Sequence, residues 1–283
     1  MLHVSFPHGT SSGMALNHRI APLFAVLLSL AVSSSLFAGG GKDRSAGTPE
    51  ANGKVVLAST SWVGAMARAA GAENVRVLAP MDLRHPAEYE LKPSDLAAAS
   101  RANIIIYAGW EQFAKKLADT AGSAGIQTVM VTTSNDPAEF RAEAEKIAKV
   151  LGTEDRLAEW WKTFVPFAEE LRGKIMAAYP DKRAVVQRMQ TPFAAWLGFD
   201  VIGEYGPAEP SPAVILQMVQ TRPALVIDNY HGPSGQPIAE AAKAIYVDLL
   251  NFPGKDGTIT IEDVFRYNAD VLINATRGRT VSK

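Results

Sequence analysis

The feature that most constrains this chain is an alternation of short apolar runs with helical stretches, and it occurs twice. In the first set, Lys54–Ala58, Val75–Ala79, Asn103–Tyr107 and Gln127–Val131 read as strands, with helices expected at Ser61–Ala70, Ser94–Arg101 and Gln112–Ala121. In the second set, strands are expected at Arg183–Gln187, Phe199–Ile202, Ala224–Asp228 and Ala244–Val247, and helices at Pro212–Gln220, Pro237–Ala242 and Ile261–Ala275. A strand followed by a helix before the next strand makes a βαβ unit, and such units build mainly parallel sheets. The expected fold is therefore α/β, with two Rossmann-like lobes spanning 54–152 and 181–283.

A helical region separates the two sets. Asp136–Val150 forms one expected helix and Thr153–Tyr179 a longer one. In the longer stretch, Leu157, Trp160, Trp161, Phe164, Phe167, Ala168 and Leu171 recur at three- and four-residue spacing, which lays an apolar stripe along one face. This makes 153–180 a linking helix between the lobes, and Trp160 and Trp161 are read as packing residues. Pro166 lies inside it and is expected to kink the helix or split it. Ser211 before Pro212 fits a hydroxyl cap with proline at the first helical position. Thr260 with Asp263 fits a capping box.

The N-terminus reads as a targeting segment. Arg19 precedes the uncharged run Ala21–Val32, and Ser33–Ala38 ends in a small residue. A basic flank, a short apolar run and a small-residue site make a signal peptide over 1–38, cut after Ala38. The run is shorter than the ~20 residues that span a bilayer. Met1 or Met14 is the start. The stretch 39–53, rich in Gly, Ala and polar residues, is a flexible leader. Together these imply an exported, periplasmic protein.

Composition narrows the chemistry. The chain has 28 Lys+Arg against 29 Asp+Glu, a net charge of −1, which does not fit a strongly basic nucleic-acid binder. It has no Cys, so disulfides, thiolate metal sites, thiol catalysis and a lipid-anchored cysteine are excluded. GxSxG, HExxH, GxxxxGK[ST] and GxGxxG are all absent. Of five His, three lie in 1–38, leaving His85 and His231. Binding is expected rather than catalysis.

The stretch Met81–Gly109, MDLRHPAEYELKPSDLAAASRANIIIYAG, resembles the zinc/manganese family of periplasmic solute-binding proteins of ABC transporters. That family carries D-P-H-x-Y-E-x-x-P-S-D, a short helix and an apolar strand ending in Tyr-x-Gly. Here Tyr89, Glu90, Pro93, Ser94 and Asp95 match in register, as do Tyr107 and Gly109. Val56–Gly71, Asn135–Gly152, Pro192–Pro212 and Phe265–Ala275 resemble further family segments in order. The resemblance implies two α/β lobes on a rigid helix, and a zinc or manganese ion captured as solute between them. It also implies an ABC permease and its ATPase as partners, membrane contact only through that permease, and a monomer.

The family's ligand positions are largely substituted. Its first His falls on Ala87, its second on Thr132, and its His or Glu on Gln187; its final Asp falls near Asp248 or Asn251, depending on a gap. The replacement ligand set is then His85, His231, Asp248 and Gln187. His85 either swings into the cleft or is an exposed loop residue. His231 follows an expected strand end, where open α/β sheets bind ligands. Asp228 ends the same strand as a loop cap or a cleft residue. Trp62, Trp110 and Tyr230 lie at or beyond strand ends and are candidates for an aromatic lining. The alternative function keeps the scaffold but binds a non-metal solute, a metal complex or a protein partner.

Overall fold

A computed structural model describes residues 53–277. The expected signal peptide at 1–38, almost all of the expected leader and the choice between Met1 and Met14 lie outside them.

The eight expected strands all form. The first four are β1 (Val55–Ala58), β2 (Asn74–Val77), β3 (Ile104–Ala108) and β4 (Gln127–Val131). The second four are β5 (Arg183–Gln187), β6 (Asp200–Tyr205), β7 (Leu225–Asn229) and β8 (Ile245–Leu249). They make two parallel four-stranded sheets, ordered β2-β1-β3-β4 and β6-β5-β7-β8. The two orders are the same order. The inner strands β1, β3, β5 and β7 are almost wholly buried, whereas the edge strand β2 exposes alternate residues and β4 exposes Gln127, Thr128 and Met130. Burial on both faces explains why the inner strands read as unbroken apolar runs.

The helices are α1 (Ser61–Ala69), α2 (Pro93–Ala99), α3 (Gln112–Ser123), α4 (Pro137–Leu151), α5 (Glu154–Ala178), α6 (Thr191–Leu197), α7 (Pro212–Gln220), α8 (Gln236–Ala242) and α9 (Ile261–Arg277). The outer face of the first sheet packs on α2 and α3, through Ala98, Ala99, Phe113 and Leu117. The outer face of the second sheet packs on α7 and α8, through Met218, Ile238 and Ala239. The inner faces of both sheets share one continuous apolar core with α1, α4, α5, α6 and α9. Two α/β/α sandwiches thus share their middle helical layer.

The helix α5 ties the halves together at both ends. Near its start, Thr153 Oγ1 donates to the Ala70 carbonyl and Arg156 pairs with Glu73. Past its end, the Tyr179 hydroxyl donates to the Leu272 carbonyl at 2.8 Å. Midway, Phe164 stacks on Trp160 with centroids 4.5 Å apart and meets Phe265 of α9 edge-on at 5.1 Å. Trp160 also donates to Glu262 Oε1 at 2.6 Å. The expected split at Pro166 does not occur, and α5 runs unbroken through it. Aromatic packing on both sides of Pro166 holds the helix where one lost hydrogen bond would weaken it.

The caps behave as expected. Asp136 accepts from Ala138 N and Glu139 N at 2.8 and 3.1 Å, and Ser211 accepts from Val214 N at 3.4 Å. At α9, Asp263 N donates to Thr260 Oγ1 at 3.2 Å, and Thr260 N donates to Asp263 Oδ2 at 3.0 Å, a reciprocal capping box. Among the described residues no helix is long and apolar enough to cross a membrane.

Candidate solute-binding cleft

Parallel strands place all their C-terminal ends on one edge of a sheet, and the loops beyond those ends are where open α/β folds take ligands. Here the two C-terminal edges face the same cleft. Its wall draws on segments after seven of the eight strands: Trp62 after β1, the Arg84–Glu88 loop after β2, Gly109 and Trp110 after β3, Thr132–Ser134 after β4, Arg188 and Met189 after β5, Pro207 after β6 and His231 after β7. Asn251 and Phe252 add the eighth, after β8. The cleft, open to solvent on one side, has a volume of about 780 Å³.

The segment 250–254 closes the cleft floor against the first half. Ser61 Oγ donates to the Pro253 carbonyl at 2.7 Å in a fully buried bond, and Asn135 Nδ2 donates to the Leu250 carbonyl at 3.3 Å. Trp62 and Phe252 pack with centroids 5.6 Å apart. Gly254 sits at φ 141°, where a Cβ would lie 1.9 Å from the Met81 carbonyl oxygen. Only glycine fits that approach.

Of the four expected ligands, three line the cleft and one does not. His85 is exposed and precedes the 3-10 turn Pro86–Glu88. His231 is only 8% exposed, and neither ring nitrogen has a hydrogen-bond partner. Burial dominates its titration and pushes it down to about 3. The charges of Arg84 and His85 act in the same direction. Backbone groups of Arg84 and Phe252 pull the other way, but none reaches hydrogen-bond geometry. Gln187 is buried, and its Oε1 accepts from Met189 N at 2.7 Å, so that oxygen holds the turn after β5.

Asp248 faces elsewhere. The strand β8 extends through Leu249, past its expected end at Val247, so Asp248 lies within the ladder beside Asp228. It lines a separate depression with Tyr246, Ser234 and Glu209. The cleft residue from this strand is Asn251, buried with Oδ1 unpartnered. Of the two positions that the resemblance offers for the family's final ligand, Asn251 lines the cleft and Asp248 does not.

Asp228 is also absent from the cleft wall. It is fully buried and accepts from Asn229 N at 2.8 Å, Ser234 N at 2.8 Å, Gly235 N at 2.6 Å and the Tyr246 hydroxyl at 2.9 Å. It is a loop organiser. Tyr230 is held behind the wall, its ring between Arg84 at 4.5 Å and Lys255 at 4.1 Å, while its carbonyl accepts from Arg84 Nε at 2.9 Å. Trp62 and Trp110 do line the cleft. Trp110 donates to Thr133 Oγ1 at 3.2 Å, joining the loops after β3 and β4.

Ala87, Thr132 and Gln187, the three other positions that the resemblance assigns to ligands, all line this cleft. A bare ion nevertheless finds a poor donor set. Among the described residues no group of three or more His, Asp or Glu is close enough to hold one. Sequence reasoning misses Arg84, Arg188, Met130, Met189 and Phe252. Phe252 is recoverable as a residue just past a strand end; Arg188 and Met189 lie in a short turn without periodicity.

One further buried acid stands outside the cleft wall. Glu111 begins α3, is fully buried, and accepts from Ala108 N at 3.0 Å. Burial pushes its carboxyl up, against the Ser59 and Thr60 hydroxyls and the Ala108 amide.

Residues 56–150 match the family of Zinc-uptake complex component A periplasmic (ZnuA). No curated protein sequence matches the chain. Several solved structures share the fold. The laminin binding protein Lmb of Streptococcus agalactiae, described as bifunctional with adhesin and metal transporting activity, is 18% identical with a TM-score of 0.62, covering 79% of this chain and 100% of its own. The Mn-bound periplasmic metal binding protein of Candidatus Liberibacter asiaticus is 17% identical with a TM-score of 0.59, covering 79% and 99%. The solute-binding protein FpvC of Pseudomonas aeruginosa, in complex with Mn2+, is 15% identical with a TM-score of 0.61, covering 80% and 99%.

Proposed function

We propose that this protein is the extracytoplasmic solute-binding component of a metal-type ABC importer of the zinc/manganese class. Its act is capture rather than catalysis: the cleft takes up the solute, and the loaded protein docks on a permease driven by an ATPase. The observation that carries this reading is the cleft itself, walled by the C-terminal edges of two parallel sheets that share one helical spine. The family match over residues 56–150 and the fold likeness to metal-binding solute-binding proteins support it. Export through a signal peptide cut after Ala38, a periplasmic location and a monomeric state complete the proposal. The transported solute is a divalent transition metal, zinc or manganese.

Deleting the gene and measuring total cell zinc and manganese by elemental analysis in metal-limited culture tests this. A fall in either metal, restored by a plasmid copy, is the expected result. Unchanged contents of both would sink the reading.

A further inference from the structure

Six large apolar side chains are exposed among the described residues, and three of them line this one cleft: Trp110 at 42%, Met130 at 60% and Met189 at 52%. They come from the ends of β3, β4 and β5, so both halves contribute. Trp62 and Phe252 add aromatic surface deeper in. Exposed apolar side chains gathered in a concavity mark a site for an organic surface. A bare ion gains nothing from them.

Size points the same way. A hexahydrated ion occupies roughly 200 Å³, at about 30 Å³ per water. The cleft offers about 780 Å³, within the range of roughly 300–1,000 Å³ that holds drug-sized ligands.

The polar lining lacks what a free dication needs. Protein sites hold zinc with about three or four donors of their own. Here the imidazoles are His85 and His231, and the carboxylates are Glu88 and Glu139, with no three gathered. Arg84 and Arg188 line the same wall. Two guanidinium groups against two carboxylates leave no net negative field to draw in a cation. The guanidinium fork instead matches anionic oxygen pairs. Both ring nitrogens of buried His231 lack partners, which leaves one nitrogen donor for a metal whose other positions are already filled.

We propose that the cargo enters this cleft as an organic chelate of a transition metal, anionic and bearing a flat apolar face, rather than as a bare ion. The inference rests on the importer reading above. The face lies against Trp110, Met130 and Met189, Arg188 takes an anionic group, and His231 supplies a nitrogen donor to the coordination position that the chelator leaves open on the metal.

The test uses the zinc complex of 8-hydroxyquinoline-5-sulfonate, which is flat, aromatic and anionic. The exported protein is titrated with this complex, with the free sulfonate, and with zinc chloride and manganese chloride alone, following tryptophan quenching and probe anisotropy. The complex is expected to bind at least tenfold more tightly than either ion or the free sulfonate. Trp110→Ala and Arg188→Ala, both at exposed positions, are each expected to weaken it tenfold or more with an unchanged circular dichroism spectrum. A bare ion that binds more tightly than the complex, or zinc stripped from the sulfonate by the protein, overturns the inference and leaves the importer reading intact. Free sulfonate binding as tightly as the complex also overturns the inference, because the metal then makes no difference; the importer reading stands or falls on the metal content of the deletion strain. No binding of the complex also overturns the inference.

Discussion

The His231 ring lies flat on the Phe252 ring, with centroids 3.5 Å apart and planes 15° from parallel. Stacking on an apolar face, with no hydrogen bond to either nitrogen, favours the neutral imidazole. The folded protein therefore holds His231 neutral down to about 3, whereas the unfolded chain protonates it near its ordinary value of 6.5. Below that value the unfolded state binds the extra proton. Stability from this residue is complete above pH 6.5 and is lost progressively as pH falls from there towards 3, by at most about 1.4 kcal/mol per pH unit. Glu111 acts in the opposite sense, since burial raises its carboxyl, so the two must be separated. Urea unfolding of the wild type and His231→Phe from pH 7.5 to 4.5 does so. The variant should lose less stability on acidification, and equal losses would refute the assignment.

Gly254→Ala should destabilise strongly. An added Cβ meets the Met81 carbonyl oxygen at 1.9 Å, and φ is 141°. Backbone strain of this kind costs about 1–3 kcal/mol before the clash is counted. Thermal unfolding should show the loss, and a midpoint within one degree of wild type would contradict the close approach.

Asp228 and Asp248 sit side by side in β7 and β8 but should respond differently to alanine. Asp228→Ala strands the buried Gly235 amide, the part-buried Ser234 amide and the Tyr246 hydroxyl, a loss of about 3 kcal/mol. Asp248→Ala, off the cleft, should leave cargo affinity within twofold of wild type. A calorimetric titration in which Asp248→Ala abolishes binding would restore it as a ligand.

Lobe movement on binding should be small. The helix α5 is bonded to Ala70 at one end and continues to Tyr179, bonded to Leu272, at the other. Ser61 and Pro253 add a buried bond between the halves. Small-angle scattering with and without cargo should give radii of gyration within about 1 Å, the scale of change expected where pre-organised partners meet. A larger compaction would show a hinge that these contacts do not allow.

The four inner strands are legible in the sequence because they are buried on both faces, which leaves unbroken apolar runs such as Ile104–Ala108; the edge strands are legible from their place in the strand–helix alternation. The helix α6, Thr191–Leu197, seven residues and just under two turns, is not among the helices expected from the sequence. The site is legible only to the level of strand ends: that rule offers His231, Trp62 and Trp110, which line the cleft, and equally Asp228 and Tyr230, which do not. Asp248 was misplaced by the length of β8. With an end at Val247, Asp248 would be the first residue of the loop; β8 runs to Leu249, so Asp248 stays in the ladder and Asn251 is the residue beyond the strand that lines the cleft. Arg84 and Met130 carry no local signal. Their position follows only from how the two sheets are set against one another.

The repeated strand order has a consequence for how such a protein can change. Most of its wall comes from the connections beyond the eight strand ends, and the shared helical layer adds only Trp62, Glu139 and Pro192 at helix starts. Any one of them can be rewritten without disturbing the aromatic contacts of Phe164 or the buried runs of β3 and β7. Recognition and foldedness are therefore held in different parts of the chain, and selection on one leaves the other largely untouched. A lineage built this way can exchange one cargo for another a loop at a time, passing only through folded intermediates.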